Sequence, residues 1–499
     1  MEYLSPEELD GLKPARQALA SPIPTQPISN GEFWPARQNA VQARLEARIL
    51  ALADDLSSRA GLDRRRFLAT PAGMAAAFVA MNEIYGRIFD VDAAEAATPG
   101  LAQARADALS SQFIFDVHTH FLREDAGPGL QYFATLRENT ARKGYNPELG
   151  GRTQTRDDLH LGTYLREMWF DSDTKLATLS GAPSDITHDW LLSNEAIAEA
   201  RAQVNRFAGT KRLFSHFIFT PGQPGWLDAI DHGVAVLKPD AWKGYTIGDN
   251  THKEISRYPW LMDDEKVAYK GYEKFEKAGI RNVAIHKGLF TQSDQARFAW
   301  LMRYAKADDV GKAAKDWPGL NFLIYHAAYR YTGEGEPKIA DGEFEKSGRM
   351  EWVSDLADVP AKYGVTNVYA DVGASFAACC IAEPRTAAAM MGILIKGLGA
   401  DRVLWGTDSI WFGSPQWQIE ALRRLEIPED MQRRFGFAPL GPPDGAVKRG
   451  IFGENAARLF PEAHAVRWTG IDDRLSQRKR DYAASGALRS NQAYGWVRA

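Results

Sequence analysis

The sequence predicts an α/β protein, a closed (β/α)8 TIM barrel behind an N-terminal helical extension. Three observations carry that prediction. A strand–helix–glycine–strand grammar repeats about every forty residues in the second half of the chain. The apolar runs are continuous rather than alternating, as in parallel strands buried on both faces. Counting backwards from the clearest copies gives eight such runs, the number that closes a barrel.

The clearest copies are "AGIRNVAIHKG", "PGLNFLIYHAA" and "YGVTNVYADVG". Each opens on a glycine (Gly279, Gly319, Gly364) that ends a helix and runs through a β-rich stretch. Seven residues on, each reaches a polar residue: His286, His326 and Asp371. A fourth copy, "GLGADRVLWGTDSIW", goes from Gly399 to Asp408 with two extra residues. The segments between, such as "DDEKVAYKGYEKFEKA", have helical spacing and an acidic cap. Earlier strands are read in "AWKGYTIG", "KRLFSHFIFTPG", "KLATLSGAP" and, first of all, "FIFDVHTH". The strand centres fall near residues 115, 177, 215, 244, 284, 324, 369 and 405. A doubly wound open sheet is the runner-up, but no glycine-rich phosphate loop follows the first strand.

This divides the chain into a helical extension over 1–110, a barrel over 111–465 and a tail over 466–499. The long first connection, 121–172, has the length of a lid. Proline-rich stretches near 21–35 and at Pro99 read as linkers, and the basic "RLSQRKR" reads as a solvated tail. "RRRFLATPAGMAAAF" resembles a twin-arginine export signal, although more than sixty residues precede it;. A packed alanine-rich helix is the preferred reading. A cytoplasmic location is therefore expected, with the periplasm as the alternative.

Composition narrows the functions. A net charge of −4 with both signs dispersed gives no reason to expect nucleic acid or a membrane surface;. The two cysteines, Cys379 and Cys380, are adjacent, so there is neither a disulfide framework nor a cysteine metal site;. Any metal must be held by nitrogen and oxygen. The partner expected is a small molecule, with homo-oligomerisation through the extension as a further expectation.

Active sites of such barrels lie at the C-terminal ends of the strands. In a strand, residues i and i+2 share a face, so His118 and His120 reach one spot. Lys243 lies in strand four, and His286, His326 and Asp408 end strands five, six and eight. Neutral imidazole and carboxylate suit zinc, with manganese or iron as alternatives. The ordinary readings are a core histidine for His326, a helix cap for Asp408 and an acid partner for Lys243.

The combination of "HTH" on strand one, "AIHKG" and "IYHAA" on strands five and six, "GTDS" on strand eight and a closing "IFGENAARLF" resembles the amidohydrolase superfamily. Within it, the resemblance is to the amidohydrolase-related branch that includes aminocarboxymuconate semialdehyde decarboxylase. It covers roughly 113–461 and leaves the extension outside. The resemblance implies one divalent metal, Zn2+ first and Mn2+ second, held by His118, His120, His286 and Asp408. It implies that Asp408 and His326 move protons, and it makes Lys243 a candidate substrate contact or bridging lysine. Hydrolysis of an amide, ester or lactone-like bond by metal-activated water is the leading expectation. Non-oxidative decarboxylation of an aromatic or unsaturated acid is the alternative.

Overall fold

The computed structural model describes residues 3–12, 21–33, 35–125, 159–333, 335–464 and 471–485. Most of the expected lid, 121–172, lies outside the described residues.

Eight parallel strands follow one another in chain order around the sheet. They are β1 (Phe115–Thr119), β2 (Leu176–Leu179), β3 (Leu213–Ile218), β4 (Ala241–Tyr245), β5 (Asn282–His286), β6 (Asn321–Tyr325), β7 (Val368–Asp371) and β8 (Val403–Leu404). Seven expected centres fall inside a strand, and 405 misses the end of β8 by one residue. Gly279 and Gly364 end their helices in the left-handed conformation, φ 73° and 68°, as the repeat requires;.

The ends of the sheet meet across β8 and β1. The Val117 amide donates to the Trp405 carbonyl at 3.0 Å, and the Asp408 amide donates to the His118 carbonyl at 2.9 Å. A parallel bridge between Thr119 and Ser409 continues the seam. The β1–β2 register shifts between Asp116 and Thr119. Such irregularities re-aim side chains beside active sites.

The barrel is filled, not hollow. Val117, Leu176, Ala241, Ala284, Leu323 and Leu404 form part of a buried cluster inside it. The helix Asn455–Leu459 leads to Phe460, whose ring stands 5.3 and 5.5 Å from Phe115 and Phe214. That aromatic plug stops the N-terminal end, so only the opposite mouth is available for chemistry.

The extension is helical, as expected, but it is not an appendage on linkers. The alanine-rich segment forms the helix Pro71–Tyr85, whose Ala75, Ala76, Ala77, Phe78 and Ala80 are all buried. A helix apolar all round belongs in an interior, here against the helices Ala40–Arg59 and Pro99–Leu109. The neighbouring arginines stay outside, Arg64 pairing with Asp54 at 3.2 Å. Among the described residues no helix is long and apolar enough to cross a membrane.

Arg423 bolts this layer to the barrel. Its buried guanidinium donates to Asp173 and Glu420, both at 2.8 Å, and to Gln112 and the Leu109 carbonyl. Two expectations are corrected here. The proline-rich stretch after residue 21 is no free linker, because Ile23, Ile28, Ser29, Asn30 and Phe33 are buried. The basic C-terminal run is no solvated tail either. It lies in the helix Arg474–Ala484, capped by Asp473, with Leu475 and Tyr482 buried. In both, short apolar anchors between polar residues outweigh a polar average.

Candidate active site at the barrel mouth

The strand ends bring His118, His120 and Asp408 together, while His286 lies beside His326 and Glu32 in a second group. His118 Nε2 lies 3.1 Å from His120 Nε2, and Asp408 Oδ1 lies 3.4 and 3.3 Å from these two nitrogens. Ligand atoms bound to one small divalent cation at about 2.1 Å lie roughly 3.0–3.4 Å from each other. The three atoms match that spacing.

Proton bookkeeping agrees. His120 Nδ1 donates to the Ser180 carbonyl at 2.7 Å, and His118 Nδ1 donates to Asp371 Oδ2 at 2.8 Å. With both protons committed outward, each neutral ring presents a bare lone pair at Nε2, and the two lone pairs face one another. A cation between them removes that conflict. Outward Nδ1 bonds to carbonyl and carboxylate are also how metal-binding histidines are oriented.

Electrostatics favour these neutral rings. Burial pushes His120 down to about 3 and His118 and His326 well below the ordinary imidazole value. Burial pushes Asp371 up to about 8 and Asp408 well above the usual carboxylate range. Charge without a partner is disfavoured throughout the pocket.

His286 ends β5 with its ring stacked on Tyr245, centroids 4.8 Å apart. His326 follows β6 in the left-handed region, φ 59°. Its ring is 4.8 Å from both His118 and His286, so by distance it could join an ion with either side. Its tautomer points elsewhere. The Ala374 amide donates to His326 Nδ1 at 3.2 Å, which puts the neutral ring's proton on Nε2;. That Nε2 is buried without a partner, a donor rather than a ligand.

Lys243 does not line the mouth cavity. It sits one layer deeper in β4, fully buried, its ammonium 3.3 Å from the Tyr325 ring centroid and without a hydrogen-bond partner. Tyr325 stacks on His118 from the other side at 3.7 Å. Lys243 thus packs beneath the histidines, against the Tyr325 ring.

Sequence reasoning left out three residues that the structure brings in. Asp371 carries a signal in the sequence, since it ends the third copy of the repeat. Gly406 and Gly373 make room for it: a side chain at either position would collide with Asp371, and at Gly373 also with His326. The other two, Asn30 and Glu32, come from the extension. Asn30 Nδ2 donates to Asp408 Oδ2 at 2.8 Å, and Glu32 Oε2 stands 2.8 Å from His286 Nε2. Nothing in "ISNGEF" announces this, apart from turn-forming residues. Tyr245, Trp411, Leu191 and Ala182 complete the cavity walls.

Residues 115–461 match a family model described as amidohydrolase. The chain belongs to the amidohydrolase family. Its barrel is similar to an uncharacterised TIM-barrel protein from Bordetella bronchiseptica, at 16% identity and TM-score 0.43, covering 70% of this chain and 99% of that one. It is also similar to 5-carboxyvanillate decarboxylase from Sphingomonas paucimobilis, at 16% identity and TM-score 0.40, with 70% and 99% covered. A third is dihydroxybenzoic acid decarboxylase from Polaromonas, determined with manganese and 2-nitroresorcinol, at 15% identity and TM-score 0.40, with 72% and 99% covered. At these identities the likeness concerns the fold. No curated protein matches the chain. The match leaves the extension outside the family region, so Asn30 and Glu32 are additions to it.

Proposed function

We propose that this amidohydrolase-family enzyme removes carbon dioxide, without oxidation, from a small aromatic or unsaturated carboxylic acid. Hydrolysis, which the sequence puts first, becomes the second reading. The observation that carries the choice is the pair of proton positions at the mouth. Hydrolysis needs a free base to take a proton from water. Asp408 is engaged at both oxygens, Oδ1 by the imidazole cluster and Oδ2 by the Asn30 amide. Decarboxylation needs no base, only a donor that holds the carboxylate as its bond to carbon breaks. The His326 Nε2–H is an unpartnered donor of that kind.

His118, His120, His286 and Asp408 would hold one divalent cation, which supplies Lewis-acid polarisation of the substrate's oxygens. Asp371 and the Ser180 carbonyl fix the two β1 rings so that Nε2 faces inward. The walls of Tyr245 and Trp411 suit a flat ring and exclude water from it;. The His326 Nε2–H donates a hydrogen bond to a carboxylate oxygen while the carbon–carbon bond breaks and carbon dioxide leaves; the electron pair stays on the vacated carbon, which takes its proton from solvent.

A panel of aromatic acids, amides, esters and lactones tests this, run with manganese or zinc in heavy-isotope water. The expected result is carbon dioxide release with solvent deuterium on the vacated carbon and no solvent oxygen in the product. Solvent oxygen entering the product of an amide, ester or lactone, with no carbon dioxide from any acid, would establish hydrolysis instead.

A further inference from the structure

We infer that the N-terminal extension supplies a fifth protein ligand to the metal centre, the carboxylate of Glu32, positioned by Asn30. The inference rests on the metal reading above and adds a ligand from outside the barrel.

Glu32 Oε2 and His286 Nε2 are the first indication. They stand 2.8 Å apart, yet both are buried without a hydrogen-bond partner, because the ring nitrogen is not aligned with the oxygen. The two atoms are close but poorly aligned for a direct hydrogen bond, and with His326 they form a group spaced to take a common cation. Buried polar atoms left alone cost about 1–3 kcal/mol each, so the arrangement asks for one.

The second indication is how the carboxylate is held. Residues 29–33 form a tight turn, with Gly31 at φ 98° and its amide donating to Ser29 Oγ at 2.9 Å. Ser29 Oγ donates to the Phe33 carbonyl, and Lys253 Nζ donates to the Glu32 carbonyl at 3.3 Å. Asn30 Oδ1 accepts from the Glu32 amide at 3.0 Å. Asn30 Nδ2 then reaches two carboxylates at once, Glu32 Oε1 at 2.9 Å and Asp408 Oδ2 at 2.8 Å. One amide nitrogen thus takes the outer oxygen of each acid and leaves the inner ones, Glu32 Oε2 and Asp408 Oδ1, aimed at the imidazoles.

The third indication is charge. Two carboxylates sharing one neutral donor in a buried pocket repel each other at high cost unless a cation stands between them. Barrel and extension together then offer three imidazoles and two carboxylates. Zinc sites usually use three or four protein ligands, whereas oxygen-rich sets of higher coordination suit manganese. The extension therefore shifts the site toward Mn2+.

The test uses the full-length chain, stripped of metal, as wild type, E32Q and E32D. Binding of Mn2+ and Zn2+ is measured by competition with a chelating dye, alongside the melting temperature of each metal-free protein. The expected result is one equivalent bound by wild type. E32Q should bind Mn2+ at least 10- to 100-fold more weakly, the range that even outer-shell partners are worth. Its metal-free melting temperature should not fall, since one of two repelling carboxylates is neutralised, and E32D should recover part of the affinity. The Mn2+ electron spin resonance spectrum should differ between wild type and E32Q. Equal Mn2+ affinity and an unchanged spectrum in E32Q would overturn the inference while leaving the barrel site intact. Wild type that takes up neither ion would instead overturn the metal reading on which it rests.

Discussion

His118 and His120 reach the mouth from β1, and His286 reaches it from β5, but different parts of the chain hold the two sides. On the β1–β8 side the barrel supplies everything except the Asn30 amide that donates to Asp408. The seam hydrogen bonds fix the backbone, Asp116 accepts from the amides of His118 and Thr407 at 3.1 Å each, and Asp371 and Ser180 fix the rings. On the β5 side the barrel supplies His286 and the stacking Tyr245, and the facing carboxylate arrives from residue 32. One side is preorganised by the closure of the sheet. The other is completed only when the extension is docked. Closure of a barrel can thus preorganise one side of a pocket while a segment outside the barrel supplies contacts on the other.

Breaking the barrel side should have the largest effect. His118→Ala or Asp408→Ala is expected to leave a folded protein with no measurable turnover, as circular dichroism and a product assay would read. Turnover at the wild-type rate in either variant removes that side from the site. Asp371→Asn keeps the shape but replaces the carboxyl group that holds His118 Nδ1 with an amide. A 10- to 100-fold loss in metal affinity or activity is expected, the usual worth of such a partner.

Loosening the docking sharpens the contrast. Arg423→Ala removes the cation that Asp173 and Glu420 share and leaves each a longer cation contact, Lys479 at 3.9 Å and Arg424 at 3.4 Å, so the cost is below the roughly 3–5 kcal/mol of a fully broken buried pair. Their side chains are 3% and 11% exposed, so solvent offers little relief. Calorimetry should show a lowered melting temperature, and limited proteolysis should cut first before residue 112. Equal loss of barrel and extension amides in hydrogen exchange would contradict separate docking.

Acid should act more mildly, on the clamp over the first residues. The helix Arg474–Ala484 pairs Arg474 with Asp10 at 2.9 Å, and Arg212 pairs with its cap, Asp473, at 2.7 Å. Burial works against ionisation of Asp473, but its bonds to Arg212 outweigh this and hold it down at about 2. A folded value below the unfolded value of about 3.9 means the stabilisation is complete above that pH and disappears as pH falls towards 2. Its size is on the order of 2 kcal/mol. Asp473→Asn should lower stability at pH 7 and flatten the acid limb between about pH 4 and 2. An unchanged limb would place the clamp's strength elsewhere.

Much of the barrel was legible. Continuous apolar runs, helix-ending glycines and a fixed seven-residue step located the strands, because each is a local consequence of burying a parallel strand on both faces. The same step placed His286, His326 and Asp371 at one rim. Asp408, at the end of the fourth copy, is placed at the rim with two extra residues, and it lies four residues beyond β8. The facing of Lys243 was not legible, since a strand's period says which residues share a face and not how deep each lies. The twin-arginine-like run looked exportable because its composition suits both a signal and a buried helix. Packing against two neighbouring helices shows it as part of the folded chain.

By itself, the sequence determined the periodic pattern: eight buried strands, a polar residue at the end of each clear repeat, and hence a mouth bearing imidazoles and a carboxylate. Only the tertiary structure decided which proton sits on which imidazole nitrogen, and that Asn30 and Glu32 close the far side. Tautomers depend on partners such as Ser180, Asp371 and Ala374, each 48 or more residues away along the chain. The reach from residue 30 to residue 408 spans 378 positions. Local periodicity carries no record of such contacts, because they exist only once separate elements are packed against each other.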